Sequence, residues 1–431
     1  MYTTELFCED LVREILLNLP VKTLIRFKQV SRTWLYIITS HDFAKRHYYR
    51  SVANSQSPAG SKNPKSFFLV RFVECPDRRF ITSLSLTNDL QECTIHENIF
   101  SPYLENMCNC CYCFSPPLAS VGLGLYIVKF RCISAIALWN PATREIKVLP
   151  PSPFYEFGKH FGCFSFGQAE IKDNTNTFSY KVGFIIYKPA DWPYFKLVLY
   201  DSSNNSWKAL SCDLGYYRGC YADGINLKRK VHLLSVTEKL DAAYIITFDY
   251  NSEVIGRMEV PAIPQISGRY YKFQDSFLTL YDDRFLCLVV FWKSVEDQPY
   301  RFLVPGQERL ETTFFDVWVM REYGVTESWI KERTIGPVRD NLIIQNYGKS
   351  TGGVVFFEMH DKGNRIYLSS CASSSAITNN LLVKSDRQEF MFVLERMESL
   401  VSINGTSDET QTQKLGTELT LHQLDTSFKS G

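Results

Sequence analysis

Apolar residues near the start of the chain recur at helical spacing. Leu11, Ile15, Leu16 and Leu19 form one stripe behind the acidic pair Glu9 and Asp10, which suits a helix N-terminus. Pro20 ends that segment. Leu24, Phe27 and Val30 line a second face, and a third segment carries Trp34, Ile37, Ile38 and Phe43, so the pattern predicts three short helices. From Ser51 to Lys65 the chain turns to Ser, Asn, Pro and Gly with almost nothing to bury, which predicts a linker. Beyond Ser66, starting with Phe67, Phe68, Leu69 and Val70, short aromatic and β-branched runs are divided by polar turns without a long helical stripe. This texture predicts an all-β domain.

Within that domain one unit recurs: an apolar strand closing on an aromatic, a polar turn, then a second strand. It stands at Ile136–Pro141, Leu197–Asp201, Ile245–Asp249, Phe315–Val319 and Val354–Glu358. Spacings of roughly forty to seventy residues straddle the four-stranded blade of a propeller, with variable loops taking up the excess. A β-propeller is therefore expected. A pair of β-sandwiches, which also strings short strands between turns, is the competing architecture. The whole reads as a multidomain α+β chain: a three-helix module at 1–50, a linker at 51–65, a propeller-like domain at 66–403, and a Thr-, Ser- and Gln-rich tail at 404–431 expected to be disordered.

Fewer than fifty residues seldom bury enough apolar surface to stand alone, so a partner or the next domain must complete the helical module. Its order and spacing, Asp10-Leu11, Glu14-Ile15-Leu16, Leu19-Pro20-Val21-Lys22, Leu24, Arg26-Phe27-Lys28, Val30 and Trp34, resemble the plant F-box. Phe7 stands where that pattern usually has its first proline. A generic three-helix cap on a larger domain is the blander reading of the same stripe.

The β domain carries a second resemblance. Leu138-Trp139-Asn140-Pro141-Ala142-Thr143-Arg144, with Leu149-Pro150-Pro151 behind it, is similar to the F-box-associated domain of plants. So is the run from Val317-Trp318-Val319 through Arg321-Glu322-Tyr323-Gly324 to Ser328-Trp329. Tyr180-Lys181-Val182, Asn205-Ser206-Trp207-Lys208 and Phe248-Asp249 follow in that family's order. Pro151-Ser152-Pro153-Phe154 and Glu398-Ser399-Leu400-Val401-Ser402 resemble the S-locus F-box branch most, and the resemblance runs to about Ile403.

Composition narrows the chemistry. The 431 residues carry a net charge of +1, so there is no basic field of the kind that nucleic-acid binding needs. The first apolar residues are interrupted by Glu5, Glu9, Asp10, Arg13 and Glu14, and no long uncharged apolar run follows, so a cytoplasmic or nuclear protein without membrane contact is expected. Thirteen cysteines then read as reduced thiols. Cys108, Cys110, Cys111 and Cys113 lie close together, but the adjacent pair would strain a tetrahedral zinc cage and no matching second pair lies at finger distance, so no metal is expected. Gly348-Lys349-Ser350 ends like a phosphate loop, yet the glycine required five positions earlier is Ile343, which leaves a turn as the reading. The seven histidines fit no metalloprotease spacing, and no Gly-x-Ser-x-Gly elbow occurs. Paired acids such as Asp282-Asp283 read as solvated loop charge, and the Trp residues as blade core rather than a stacking platform.

The resemblances imply a non-catalytic substrate receptor without cofactor. Its helices would dock on a Skp-family adaptor and, through it, on cullin and RING subunits, with Leu11, Ile15, Leu16, Leu19, Pro20, Leu24, Val30 and Trp34 holding or forming the surface. The propeller would present a client for ubiquitination. The S-locus likeness implies non-self pistil ribonucleases, and another plant regulator such as an immune receptor is the alternative. A propeller enzyme binding a small molecule and a scaffold that never meets the ligase are the readings from other classes. Client specificity is expected in loops that lack a hairpin motif: Glu74 to Arg79, Asp89 to Glu97, Tyr155 to His160, Lys188 to Tyr194 and Ser294 to Arg301. Their acids Asp89, Glu92, Glu97, Asp191, Glu296 and Asp297 would draw a basic secreted ribonuclease.

Overall fold

The computed structural model describes residues 9–55, 65–73, 79–86, 93–98, 118–130, 135–154, 161–172, 177–187, 195–211, 224–236, 243–263, 269–281, 284–294, 312–338, 348–350, 353–360, 365–371, 378–384 and 389–403. Helices come first: α1 (Glu9–Leu17), α2 (Val21–Phe27), α3 (Arg32–Thr39) and α4 (His41–Ser55). The third expected helix is two, because Ser40 breaks it. Its backbone is extended (φ −69°, ψ 140°), its hydroxyl donates to the Ile37 carbonyl at 2.9 Å, and the Phe43 N–H donates to that hydroxyl at 3.3 Å. One serine thus ends α3 and caps α4. Helix α4 then continues through Ser51–Ser55, into the stretch expected to be linker.

Strands β1 (Lys65–Val73), β2 (Arg79–Leu86) and β3 (Cys93–Asn98) pair in order. The next sheet is β4 (Leu118–Gly122), β5 (Leu125–Phe130), β6 (Ala135–Asn140) and β7 (Glu145–Val148). Then come β8 (Phe161–Lys172), β9 (Thr177–Tyr187), β10 (Phe195–Asp201) and β11 (Ser206–Ser211). A fourth sheet holds β12 (Ile225–Leu227), β13 (Lys230–Val236), β14 (Ala243–Asp249) and β15 (Ile255–Glu259). A fifth holds β16 (Arg269–Tyr281), β17 (Phe285–Ser294), β18 (Thr312–Met320) and β19 (Trp329–Val338). The sixth is β20 (Gly348–Ser350), β21 (Gly353–His360), β22 (Arg365–Cys371) and β23 (Thr378–Lys384).

The last strand, β24 (Glu389–Glu395), does not extend the sixth sheet. It pairs antiparallel with β1, Phe67 opposite Glu395 and Val73 opposite Glu389, and gives the first sheet its fourth strand in the order β24-β1-β2-β3. Among the described residues six four-stranded antiparallel sheets result, each a meander of neighbouring strands except where the two ends of the β domain meet. First strands of adjacent sheets lie side by side, β4 with β8 and β12 with β16, which is the inner wall of a propeller. The expected propeller is the fold; the paired sandwiches are not.

The recurring unit has a physical basis. In three successive blades the third strand ends on an aromatic followed by Asn or Asp: Trp139-Asn140, Tyr200-Asp201 and Phe248-Asp249. The side-chain oxygen accepts turn N–H groups, from Ala142 and Thr143 at Asn140 (3.0 and 3.3 Å), from Ser203 at Asp201 (2.9 Å), and from Asn251 and Ser252 at Asp249 (2.9 and 3.1 Å). Four residues on, each turn takes a left-handed step, at Arg144 (φ 64°), Asn205 (φ 50°) and Glu253 (φ 57°). The aromatic then faces the apolar residue of the returning strand, Ile146, Trp207 or Ile255. Phe315–Val319 lies in β18, also a third strand, but Val354–Glu358 lies in β21, a second strand, so the fifth sequence match is out of phase.

Blades are joined by buried apolar contact and by a few directed bonds. Within the third blade, Gly183 of β9 lies under the ring of its register partner Phe166 in β8, where any Cβ would collide. The indole of Trp207 donates to the Pro150 carbonyl of the preceding blade at 2.8 Å, and that of Trp329 donates to Glu259 at 3.2 Å in the same manner. The Lys181 ammonium bridges to Glu253 (2.8 Å) and to the Tyr250 carbonyl (2.7 Å) of the next blade. His232 in β13 is fully buried: its Nδ1–H donates to the Ile225 carbonyl at 3.1 Å, and its Nε2 accepts from the Tyr323 hydroxyl of the following blade at 2.9 Å.

The Tyr323 oxygen could also accept from a charged ring, so it is burial that keeps the imidazole neutral. Burial strips the water that would solvate the cation and lowers the pKa of His232 to about 4, against about 6.5 for an unfolded chain. The unfolded state therefore takes the proton first as pH falls, so this contribution to stability is whole above pH 6.5 and is lost between there and about pH 4. His47, lowered in the same direction by burial, adds to the loss, so the difference between variants isolates one site. Urea unfolding at pH 7 and pH 5 should show wild type losing about 2 kcal/mol more than His232→Gln. Equal losses would refute the neutral joint.

Candidate functional site

Capping and a few long-range bonds hold the helical module together. Ser31 caps α3, its hydroxyl accepting the Trp34 N–H at 3.1 Å, and the Phe27 and Trp34 rings meet at 5.2 Å between α2 and α3. From α4, His47 Nε2–H donates to the Leu19 carbonyl at 2.8 Å and Arg50 pairs with Glu14 at 2.8 Å, tying the last helix to the first.

The eight residues expected on the docking surface divide by burial. Leu16 and Leu24 are fully buried, and Leu19 and Trp34 are half-buried against the same apolar cluster. Pro20 is exposed, as are Leu11 (49%), Ile15 (50%) and Val30 (59%). Leu11 and Ile15 stand one turn apart on α1, so they form a single outward ridge. Leu35, Tyr36 and Tyr49 are also exposed, Tyr36 at 71%, and the sequence reading missed them. The signal was present, since Trp34, Ile37 and Ile38 turned inward leave 35 and 36 facing out on a helix of 3.6 residues per turn. Among the described residues the only other exposed large hydrophobics are Val254 and Ile330. Unsatisfied apolar surface is concentrated on the helices.

Sheet order also fixes which way this module points. In every blade the first-to-second and third-to-fourth turns gather at one end of the ring, and the remaining connections gather at the other. Lys65 opens β1 and Glu395 closes β24 at the turn end, where an ordinary blade would have its first turn. The helices precede β1, and residues 396–403 follow β24, so both leave the ring at that end. One apolar cluster contains Leu16, Leu24, Ile37 and Phe43 of the helices, Leu400, Val401 and Ile403 of the C-terminal segment, and Val121, Leu125 and Leu138 of the second blade.

Asp89, Glu92, Asp191, Glu296 and Asp297 lie outside the described residues, as does the cysteine cluster at 108–113. Glu97 is a correction: it lies in β3, at a register shift beside Ser83, rather than in a loop. The facing ends of β2 and β3 lie at the helix end, whereas those of β1 and β2, β7 and β8, β9 and β10, and β17 and β18 lie at the far end. Gly348–Ser350 is likewise not a turn but the edge strand β20, paired with β21. Among the described residues no group of His, Cys, Asp and Glu is gathered for a metal, and no helix is long and apolar enough to cross a membrane.

Comparison with known proteins adds the following. The F-box domain family matches residues 5–46, and the F-box associated beta propeller domain family matches residues 120–403. An F-box protein of Arabidopsis thaliana is 25% identical over 57% of this chain and 57% of its own, and an F-box/kelch-repeat protein of the same plant is 21% identical over 58% of this chain and 60% of its own. The chain thus spans about three-fifths of the length of these relatives. Among solved structures, the β-propeller domain of the Trilobed protease from Pyrococcus furiosus aligns over 61% of this chain and 70% of its own, at 11% identity and a TM-score of 0.29.

Burial separates scaffold from surface within the helical stripe, and stability should follow it. Leu16→Ala or Leu24→Ala, each opening a cavity, should cost about 2–5 kcal/mol in urea melts followed by helical circular dichroism. Leu11→Ala and Ile15→Ala should stay within about 0.5 kcal/mol of wild type. A large loss at Ile15 would mean that its side chain is interior.

Proposed function

Because the chain belongs to the F-box proteins that carry an F-box associated β-propeller domain, we propose that it is the client receptor of an SCF-type (Skp-cullin-F-box) ubiquitin ligase. The observation that carries this reading is the concentration of exposed large apolar side chains on the F-box helices: among the described residues six stand there, Leu11, Ile15, Val30, Leu35, Tyr36 and Tyr49, against Val254 and Ile330 in the propeller. A Skp-family adaptor would cover Leu11, Ile15, Val30, Leu35 and Tyr36, with Leu16 and Leu24 holding that face from beneath. The receptor makes and breaks no bond. Holding a client lysine near an activated ubiquitin thioester turns a bimolecular encounter into an effectively intramolecular one. Adaptor co-purification with Leu11→Asp/Ile15→Asp should fall steeply, since central anchors contribute roughly 2 kcal/mol or more each. Undiminished capture by a folded variant would sink the adaptor assignment.

The client is proposed to dock at the end of the propeller opposite the helices. Support comes from topology, because the near end is taken up by the F-box and the C-terminal segment. In sequence, Asp191 falls between β9 and β10 and Glu296 and Asp297 between β17 and β18, strand pairs whose facing ends lie away from the helices, whereas Asp89 and Glu92 fall between β2 and β3, whose facing ends lie toward them. Within the receptor class, the S-locus likeness of Pro151–Phe154 and Glu398–Ser402 supports non-self pistil ribonucleases as clients, which are of the basic secreted type. Asp191→Lys/Glu296→Lys/Asp297→Lys should slow association with such a ribonuclease roughly tenfold at low salt and leave adaptor binding intact. The same change at Asp89 and Glu92 should do little. An inverted result would place the client at the near end.

A further inference from the structure

Residues Arg396–Ile403 leave β24 and cross the turn end of the second blade as an irregular strap. Five bonds fasten it to that blade. The Met397 N–H donates to the Tyr126 hydroxyl at 3.2 Å. Asn140 Nδ2 donates to the carbonyls of Ser399 (3.1 Å) and Val401 (2.8 Å), and the Ser402 hydroxyl and Ile403 N–H donate to one Glu145 oxygen at 3.1 and 2.6 Å. Gly124, at φ +69°, leaves room for the crossing: a Cβ there would stand 2.7 Å from Ser399 Cβ and 2.8 Å from the Met397 carbonyl. Leu400, Val401 and Ile403 are buried in the cluster that also contains the helix core. Burial lowers the pKa of His47 in α4, against which the Leu19 carbonyl and the strap's Glu398 pull upward, so the strap and α4 are electrostatic neighbours.

The second blade departs from its neighbours at one atom. Its turn begins with Asn140 where the next two blades have Asp201 and Asp249. All three accept turn N–H groups, so the turn itself is served equally well by a carboxylate. Only an amide can also donate, and Asn140, fully buried, spends both its hydrogens on strap carbonyls. A carboxylate there would set a buried negative oxygen against two carbonyl oxygens.

We infer that the strap is a clamp holding the helical module against the propeller, and that Asn140 is its latch. The two modules then keep a fixed orientation through the strap. The latch residue acts on the helices only by way of the strap, so it is a positioning residue.

Asn140→Asp in the full chain is the selective test, because it preserves the turn acceptor and removes only the donor. By hydrogen exchange, the amides of Met397, Val401 and Ile403 should exchange roughly tenfold faster or more, while Ala142 and Thr143 keep their protection. Protease cleavage between α4 and β1 should accelerate in parallel, and the radius of gyration from solution scattering should rise. A freed strap with unchanged cleavage and unchanged dimensions would overturn the clamp. An unchanged strap would overturn the latch. If Asn140→Asp does not fold, Gly124→Ala applies the same test from the other side, since its Cβ presses on Ser399 and Met397 without touching the β6–β7 turn.

Discussion

Everything in this chain waits on the ladder between β1 and β24, which come from opposite ends of the propeller sequence. A ring of sheets left open has two bare edges, each a row of unpaired N–H and C=O groups. Pairing Phe67–Val73 with Glu389–Glu395 removes them and, by the same act, brings the entry and exit of the ring to one place. The F-box and the strap meet there because the closure has nowhere else to put them. The architecture of the interface is thus a consequence of strand order, not of any special affinity between helices and blades.

Blade to blade, the same local chemistry is reused with different partners. The Asn or Asp that opens the third-to-fourth turn has spare hydrogen-bonding capacity once its turn is satisfied. Asp201 lies 3.6 Å from Lys181 and Asp249 lies 3.6 Å from Lys230, whereas Asn140 turns its amide to Ser399 and Val401. Similarly, the tryptophans that begin β19 and sit early in β11 reach back to a carbonyl of the preceding blade. Such contacts set register and angle at the joints, while apolar burial supplies most of the stability.

Much of this was legible in the sequence, and the reasons differ by element. The helices announced themselves by spacing and acid placement, and the third strands by an aromatic next to Asn or Asp. Both signals are local, and local signals survive without tertiary knowledge. What failed was non-local or double-valued. Nothing within Glu389–Glu395 says that it will pair with β1 instead of β23, because a ladder is chosen by the whole ring. Ser40 could extend a helix or cap one, and Leu16 and Ile15 are equally apolar although one is buried and the other half exposed. A hydrophobic stripe wider than the core face marks both buried scaffold and exposed ridge, and periodicity cannot divide them. Glu97 and Gly348–Ser350 were misplaced because polar residues in short edge strands resemble turns.

The distance in sequence between α4 and the strap has a consequence for synthesis. At ~5–20 residues per second, the ribosome needs roughly 20 to 70 s to travel from Ser55 to Arg396. Throughout that interval the F-box helices are made but the strap leucine and valine that share their core do not yet exist. A nascent chain therefore carries two bare leucine-rich faces, one that the finished propeller will cover and one that it never will. Chaperones can reach both before translation ends, so the fate of this F-box protein is open to cellular control before its ring has closed.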